Sequence, residues 1–389
     1  MNQFEYVVVK LNKYTHQMSL EDLFSMTDTE FETKFDRVNS ANFRSSSTRT
    51  YVTKNADKLC EEIDFSRLIG QLVAFNDRHK DLLEADRHSL YRTFHIPKKS
   101  GGLRKIDAPC EELTNALREL KYIIEHEFHV LYHTAAYAYV KGRSTIDAVK
   151  KHQVNESKWF AKFDLSNFFG STTIDFVMAQ LSKIYPFSRI VKYEDGERAL
   201  RTAFGLAFLD GGLPQGTPIS PIITNIIMIP IDYEIFNTLR NYESNKYVYT
   251  RYADDFIISS KYKFDYKDIE NLIIMTLAKY NAPFKLNTEK TRFGSSAGSN
   301  WNLGVMLNKD NEMTIGYKNK RSFQAMLFSY AMDKKDGKTW ELHDIQILEG
   351  YRNYYSMIER EAIAALVNKV GNKVGVDIRK EIKKDLKEL

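Results

Sequence analysis

Two adjacent aspartates, Asp254 and Asp255, interrupt a segment from residue 246 to 260 that otherwise alternates in the manner of β-strands. Carboxylates beside buried strands are costly unless they are paired, hydrated or bound to a cation. Neighbouring side chains of a straight strand point to opposite faces, so both acids reach one site only where the backbone turns. The segment therefore predicts a hairpin with two carboxylates at its tip, either a cation site or a solvated Asp-rich turn.

A third carboxylate, Asp164, follows the largely apolar stretch of residues 160–163 in a segment, Trp159 to Phe169, that is typical of a buried strand opening into a turn. A sheet edge would deliver this acid beside the hairpin tip, although an exposed strand end or a helix cap has the same local signature. Three carboxylates without Cys or His neighbours favour hard cations such as Mg²⁺ or Mn²⁺. Two such ions about 4 Å apart suit in-line displacement at phosphorus, so the three acids together indicate nucleotidyl transfer.

The composition is that of a globular protein: 389 residues, 43% hydrophobic and 28% charged, which predicts two or three subdomains. The formal net charge of +5 permits a polyanionic partner without requiring one. The two cysteines, Cys60 and Cys110, have no metal-ligating neighbours in sequence. Neither a disulfide framework nor a Cys-type zinc site is therefore indicated, and a reducing cytosol is expected.

No secretory leader or membrane span is predicted. Residues 1–5 lack a basic region followed by an apolar one, and no run of about 20 uninterrupted apolar residues occurs elsewhere. The longest apolar segment, Ile219 to Ile231, is interrupted by Ser220, Thr224 and Asn225. We interpret it as buried structure and expect a cytoplasmic protein without membrane association.

Three further segments carry candidate functional residues. Residues 91–97 and 103–109 have the pattern of two strands joined by a basic tip, Lys98-Lys99-Ser100-Gly101-Gly102. Residues 212–221 (GLPQGTPISP) combine Gln215 with three prolines, a pattern that on composition alone marks a rigid loop. Beyond about residue 315 the chain is predicted to be helical and rich in Lys and Arg.

In their order and spacing these segments resemble the reverse transcriptases, over roughly residues 90 to 360. Tyr252-Ala253-Asp254-Asp255 resembles the central metal-binding turn of that family, and residues 163–169 (FDLSNFF) resemble the strand that bears its first catalytic aspartate. Residues 212–221 resemble the loop that contacts template and incoming nucleotide. The likeness is to the prokaryotic enzymes related to retrons, group II introns, diversity-generating elements and phage-defence systems.

The resemblance implies an α+β fold, namely a right-hand polymerase with fingers, a palm built on an antiparallel sheet with flanking helices, and a helical thumb. It places an N-terminal helical extension at residues 1–85, fingers and palm at residues 86–310, and the thumb at residues 311–389. The implied activity is that of an RNA-directed DNA polymerase, which adds dNTPs to a primer 3′ end.

The resemblance also implies roles for individual residues. Asp164, Asp254 and Asp255 would be catalytic and, with Leu165, would bind two Mg²⁺ ions, Mn²⁺ being an alternative. The nucleotide-binding residues would be Lys98, Arg104, Phe169, Gln215 and Lys290, and the residues that contact nucleic acid would be Arg143 and Gly304.

Structural alternatives stay open for three of these residues. The ring of Phe169 would exclude a ribose 2′-hydroxyl and so favour dNTPs, whereas simple core packing is the other interpretation. Lys98 would clamp the triphosphate or would be an ordinary surface cation. Arg143 would contact a phosphate or would have a structural role at a strand end.

The implied partners are an RNA template, a DNA or RNA primer, the cDNA product and dNTPs, together with a protein partner or a second copy of the chain. Retron enzymes carry an Asn-Ala-x-x-His element before the first catalytic strand and a Val-Thr-Gly element in the thumb. Here residues 147–152 (DAVKKH) are one residue out of step, and Val-Thr-Gly is absent. We therefore favour an enzyme that copies a cognate noncoding RNA in antiphage defence. A retron enzyme, a diversity-generating enzyme, and an untemplated or protein-primed polymerase are the alternatives.

Three other classes of protein compete with this interpretation. An RNA-dependent RNA polymerase shares the palm and its metals but typically has a smaller residue at the position of Phe169 and Gly-Asp-Asp in the turn. A catalytically inactive polymerase that only binds RNA would not need all three aspartates, Gln215 and Arg104. A phosphohydrolase would cleave nucleotides without a template.

Overall fold

The computed structural model describes residues 6–11, 14–19, 64–97, 101–128, 130, 132–242, 246–296, 301–302 and 304–388. The strands are β1 (Tyr6–Leu11), β2 (Tyr14–Ser19), β3 (Tyr91–Pro97), β4 (Leu103–Pro109), β5 (Trp159–Ser166), β6 (Val248–Tyr252), β7 (Asp255–Ser260), β8 (Lys285–Leu286), β9 (Arg292–Ser295), β10 (Trp301–Asn302), β11 (Val305–Leu307) and β12 (Met313–Thr314). The α-helices are α1 (Phe65–Arg78), α2 (Lys80–Glu84), α3 (Glu111–His126), α4 (Thr145–Val154), α5 (Phe168–Ser171), α6 (Ile174–Leu181), α7 (Phe187–Ile190), α8 (Glu194–Gly205), α9 (Ser220–Ile227), α10 (Ile229–Asn241), α11 (Tyr266–Lys279), α12 (Gly316–Lys335), α13 (Leu342–Ile358), α14 (Arg360–Val374) and α15 (Ile378–Glu388). Single 3₁₀ turns occur at Arg87–Leu90 and Thr288–Lys290.

The N-terminal region contains an antiparallel hairpin, in which Tyr6 of β1 lies opposite Ser19 of β2. These residues are strands, where the sequence predicted a helical extension. Residues 7–9 are three consecutive valines, and β-branched side chains favour a strand because their χ1 angle is restricted in a helix. The later part of the same region is helical, as α1 and α2.

A five-stranded antiparallel sheet lies at the centre of the described structure. Its order is β6-β7-β5-β8, and β9 also pairs with β5. Phe163 and Leu165 of β5 are almost fully buried, which anchors this strand in the core. Phe163 lies opposite Phe256 of β7, and Asp164 therefore lies opposite Asp255. The predicted antiparallel sheet with flanking helices, and with it the α+β class, is confirmed.

Helices α9 and α10 form the apolar segment that the sequence predicted to be buried. Pro221 and Pro230 each stand at the start of a helix, where the missing N–H of a proline is no loss. Residues 222–232 are buried. Across the described ranges no single helix has the length and apolar composition of a membrane span, and only this pair, bent by 43°, passes on those two criteria together.

Strands β3 and β4 form a separate hairpin in which Ile96 lies opposite Arg104. A two-stranded hairpin is marginally stable alone, so it needs anchors at its base. The Thr93 hydroxyl donates a hydrogen bond to Asp107 Oδ1 at 2.6 Å, and the Asp107 N–H donates to the carbonyl of Gln215 at 2.9 Å. These bonds fix the hairpin beside the loop of residues 212–221.

The four C-terminal helices, α12 to α15, surround a second hydrophobic core that includes Leu327, Leu348 and Val367. This core continues into the central sheet through Phe160 of β5 and Ile257 of β7. The C-terminal helices therefore pack on the same two strands that carry Asp164 and Asp255.

Candidate active site

The two adjacent aspartates stand at the tip of the β6–β7 hairpin. Tyr252 pairs with Asp255, so Ala253 and Asp254 alone make the turn. Ala253 has a φ of 56°, in the left-handed region that costs an L-residue roughly 1–2 kcal/mol. This sharp reversal places the neighbouring carboxylates at one end of the sheet, as the sequence predicted.

Strand β5 brings the third carboxylate to the same end of the sheet. Asp164 is the antiparallel partner of Asp255, and the N–H of Leu165 donates to the carbonyl of Asp254 at 3.1 Å. On the other side, the N–H of Asn287 donates to the carbonyl of Asp164 at 2.7 Å. Backbone hydrogen bonds thus hold the three acids in one neighbourhood.

The electrostatics of this neighbourhood are unfavourable for the carboxylates alone. Burial, together with the charge of Asp255, raises the pKa of Asp254 to about 6. Burial also raises the pKa of Asp255, although the nearby Lys162 opposes that shift. Asp255 Oδ1 is buried and has no hydrogen-bond partner among the described residues. Such an oxygen is expected to take a partner from outside the chain.

Two lysines supply positive charge to the aspartates. Lys162 Nζ lies 2.8 Å from Asp255 Oδ2, and Lys290 Nζ lies 3.1 Å from both oxygens of Asp164. Within the described ranges no three Asp, Glu, His or Cys side chains already converge as a metal site. The donor set nevertheless fits a divalent cation, because it offers hard oxygens, an unpaired buried oxygen and a position already compensated by ammonium groups.

The loop predicted to contact template and nucleotide lies against both the β3–β4 hairpin and the short helix α5. Gly216 has a φ of 123°, and a Cβ there would lie 3.0 Å from the carbonyl oxygen of Asp107, so glycine is needed. The N–H of Leu213 donates to the carbonyl of Phe169 at 3.0 Å. Gln215 is held between these two attachments with a half-buried side chain.

Phe169 follows the Asp164 strand in the short helix α5. Its ring is partly buried and packs edge-on against Phe168 at a centroid distance of 5.6 Å. The ring therefore contributes to the core and also keeps an accessible surface. Both interpretations of Phe169, core packing and a gate against the ribose 2′-hydroxyl, are compatible with this position.

Arg104 projects from the exposed part of β4 and has no ion-pair partner in the part of the chain that the structure describes. It acts electrostatically on Tyr139, as do Tyr252 and Asp254: burial raises the pKa of Tyr139, both neighbours raise it further, and Arg104 lowers it. Tyr139 therefore lies within electrostatic reach of both Arg104 and Asp254. Lys98 lies outside the described residues.

The two residues predicted to contact nucleic acid differ in their surroundings. Arg143 is half-buried, and its Nη1 donates to the carbonyls of His133 at 2.6 Å and Ala136 at 2.7 Å, which favours the structural role. The residue lies in the loop before α4 and not at the end of a strand. Gly304 has a φ of 86°, and a Cβ there would lie 3.9 Å from the Tyr354 hydroxyl of α13. Its turn therefore faces the C-terminal helices.

Sequence reasoning missed Lys162, Tyr139 and the buried pair of Arg251 with Asp232. A lysine inside the apolar stretch of β5 and an arginine inside β6 were the available signals, since a charge in a buried strand needs a partner. The identity of each partner depends on tertiary contacts that the sequence does not show.

Comparison with known proteins supports the interpretation of these motifs. The family model described as reverse transcriptase (RNA-dependent DNA polymerase) matches residues 96–323. The retron Ec83 reverse transcriptase of Escherichia coli is 29% identical over 297 residues, covering 75% of this chain and 90% of that protein. The retron Mx65 reverse transcriptase of Myxococcus xanthus is 28% identical over 319 residues, covering 79% of this chain and 70% of that protein.

Among solved structures, telomerase from Candida albicans in complex with a fragment of telomeric RNA is similar at a TM-score of 0.45 and 12% identity, over 79% of this chain and 65% of that one. Apo telomerase from Candida tropicalis gives a TM-score of 0.42 at 11% identity, over 76% and 61% of the two chains. The matched region is less than two thirds of either telomerase chain.

The two departures from the retron pattern do not separate this chain from retron enzymes, which are among its curated relatives. Asp147 forms a capping box with Ser144 at the start of α4, and His152 is buried with hydrogen bonds to Ser259 and Thr250.

Members of the matched family use divalent metal ions, in agreement with the oxygen donors at the hairpin tip. The chain belongs to the reverse transcriptase family and is an RNA-directed DNA polymerase, which takes RNA as its template.

Proposed function

We propose that Asp164, Asp254 and Asp255, with the main chain of Leu165, bind two Mg²⁺ ions and catalyse transfer of a deoxynucleotide to a primer 3′ end. The observation that carries this proposal is the pairing of Asp164 with Asp255 across β5 and β7, next to Asp254 at the turn. The unpaired Asp255 Oδ1 supports it, because an oxygen left without a partner in a buried site is available to a cation.

When bound, the two ions would activate the primer hydroxyl and neutralise the leaving pyrophosphate. The chain itself supplies two further positive charges, on Lys290 and Lys162. Lys290 is 58% exposed and holds Asp164 through an ion pair, so it is free to turn toward a triphosphate once that carboxylate has another partner. Lys162 is only 31% exposed and stays beside Asp255, where its charge competes with a divalent ion for the carboxylate.

Three further residues would select and hold the incoming nucleotide. Arg104 would donate to the triphosphate in a two-pronged manner, since its guanidinium is exposed and unpaired among the described side chains. Gln215 would contact the nucleotide from the loop that carries it. Phe169 would close the space beside the ribose 2′ position, so that dNTPs are used in preference to rNTPs.

The test is primer extension on an RNA template with purified protein. Asp254→Asn and Asp255→Asn are expected to lower kcat by at least about a thousandfold, because each removes a charged metal ligand without changing side-chain size. Asp268→Asn, on the exposed first turn of α11, is the matched control and is expected to retain full activity. Wild-type extension rates in both site variants would remove the catalytic assignment.

We propose further that the template is a cognate noncoding RNA, with a DNA or RNA primer, and that antiphage defence is its biological setting. The similarity to retron enzymes of Escherichia coli and Myxococcus xanthus favours a second candidate setting, a retron-type element. Sequencing of the RNA and cDNA that copurify with the protein distinguishes these settings. One recurrent RNA with a matching cDNA supports a cognate template, whereas a random mixture of cellular RNA contradicts it.

The defence setting has its own test. Cells that carry the gene together with the sequence encoding its noncoding RNA are expected to yield fewer phage plaques. Cells with the Asp254→Asn variant are expected to lose that reduction. Equal plating with and without an intact enzyme contradicts the defence proposal and leaves the polymerase activity unaffected. Oligomeric state, measured on the same preparation by light scattering, tests for a second copy or a protein partner.

A further inference from the structure

Arg251 and Asp232 form an ion pair with no exposed side-chain surface on either partner. Arg251 Nε donates to Asp232 Oδ1 at 2.8 Å, and its Nη2 donates to Oδ2 at 2.7 Å, which is a two-pronged pairing. The Tyr249 hydroxyl also donates to Asp232 Oδ1, at 2.6 Å. The carboxylate is therefore satisfied by two neighbouring residues of β6.

The remaining arm of the guanidinium reaches the catalytic turn. Arg251 Nη1 donates to the carbonyl oxygen of Ala253 at 3.0 Å and to Asn225 Oδ1 at 3.2 Å. The backbone of Arg251 is also held: its N–H donates to the carbonyl of Ala135 at 2.6 Å, and its carbonyl accepts from the N–H of Tyr137 at 2.9 Å. The arginine thus fixes both the strand end and the first residue of the turn.

The contact with Ala253 is informative because that residue is strained. An alanine at a φ of 56° tends to relax toward negative φ unless its surroundings prevent it. Its carbonyl belongs to the peptide unit that leads into Asp254, so rotation of that unit would redirect the aspartate. A buried ion pair by itself is weak evidence for stability. The hydrogen bond to the Ala253 carbonyl gives this pair a direct geometric effect on the turn.

We propose that Arg251, held by Asp232, is a positioning residue that locks the Ala253 carbonyl and thereby aims Asp254 and Asp255 at the cation site. The proposal rests on the proposed function of the aspartates. Arg251 acts through the turn and does not touch substrate. Its loss should therefore weaken metal binding in the absence of any nucleotide, and should lower kcat more than it changes the KM for dNTP.

The experiment measures Mn²⁺ affinity by electron paramagnetic resonance on protein without substrate. Wild type and Asp254→Asn are measured first, since equal affinities there contradict the proposed function itself. The double variant Arg251→Met with Asp232→Leu is then measured. It replaces a buried pair by apolar side chains of similar size, an exchange that proteins often tolerate, and it removes the donor to Ala253.

We expect the double variant to bind Mn²⁺ about tenfold more weakly and to lose kcat by a similar factor, with the dNTP KM changed by less than about threefold. Ile235→Ala is the matched control: Ile235 is fully buried on the same helix as Asp232, but its side chain has no polar group to offer the turn. It is expected to lose stability and to keep wild-type Mn²⁺ affinity. An equal loss of affinity in Ile235→Ala would show that any destabilisation has the same effect and would overturn the proposal.

Arg251→Lys covers the outcome in which the double variant does not fold. It keeps a positive charge beside Asp232, but a single ammonium cannot span both the carboxylate and the Ala253 carbonyl as the guanidinium does. We expect Mn²⁺ affinity to fall about threefold, an intermediate effect. Wild-type affinity and kcat in either folded variant would overturn the positioning role while leaving the aspartate assignment intact.

Discussion

Replacing Asp254 with asparagine is expected to stabilise the metal-free protein above neutral pH, even though it removes activity. Burial and the charge of Asp255 raise the pKa of Asp254 from 3.8 to about 6. The folded state therefore binds this proton more tightly than the unfolded state does. The resulting stability is fully present below pH 3.8 and is lost as the pH rises through about 6.

The size of the effect follows from the shift. One pKa unit corresponds to 1.36 kcal/mol, so the ionised carboxylate costs the folded state about 3 kcal/mol at pH 8. At pH 5, one unit below the raised pKa, protonation recovers about 1.4 kcal/mol of this cost. Asparagine carries no charge at either pH. Its stability advantage over the wild type should shrink by about 1.4 kcal/mol between pH 8 and pH 5.

Urea denaturation of both proteins at pH 8 and pH 5, with a chelator present, measures this difference. Asp268→Asn serves as the control, since it changes an exposed carboxylate and should track the wild type at both values of pH. Addition of Mg²⁺ at pH 8 should narrow the gap, because the ion binds only the wild-type site and stabilises its folded state. A variant that is less stable than the wild type by the same amount at both pH values would refute the reasoning.

Three other predictions concern the remaining parts of the site. Phe169→Ala is expected to raise the rNTP to dNTP ratio of kcat/KM by about tenfold, and an unchanged ratio would assign the ring to core packing. Lys162→Met removes the ammonium group that lies 2.8 Å from Asp255 and competes with a metal ion for its carboxylate. Mn²⁺ titration should therefore show binding tightened by about threefold or more, and weaker binding would contradict this competition. Gly216→Ala places a side chain at a φ of 123° and 3.0 Å from the Asp107 carbonyl, and urea denaturation should show a loss of about 1–3 kcal/mol, whereas an unchanged midpoint would contradict the close approach.

The hairpin with Asp254 and Asp255 at its tip could be predicted from the sequence because its determinants are local. Period-two alternation identifies the two strands, and the cost of adjacent carboxylates between them requires a turn. The apolar segment that ends at Asp164 was predicted in the same way. The valines at residues 7–9 show the limit of the family resemblance, which places a helical extension where these residues form a strand paired with β2.

Asp164 meets Asp255 because β5 pairs with β7 in the register that sets Phe163 opposite Phe256 in the core. The two strands are far apart in the chain, so the sequence does not show this pairing. Sequence motifs predicted the neighbourhood only because their order resembles a known family. The contacts that decide charge balance, Lys162 with Asp255 and Lys290 with Asp164, join segments far apart in the chain.

Arg104 and Arg143 show most directly what each level of description determines. Both are arginines near glycine-containing turns, and both are candidates for binding a phosphate group, with a structural role as the alternative for Arg143. The tertiary structure surrounds Arg143 with main-chain carbonyls and leaves Arg104 exposed. The sequence determined which chemical groups are available, because side-chain type and local periodicity reside in it. The tertiary structure decided which of those groups are already satisfied, because hydrogen bonding and burial depend on distances through space.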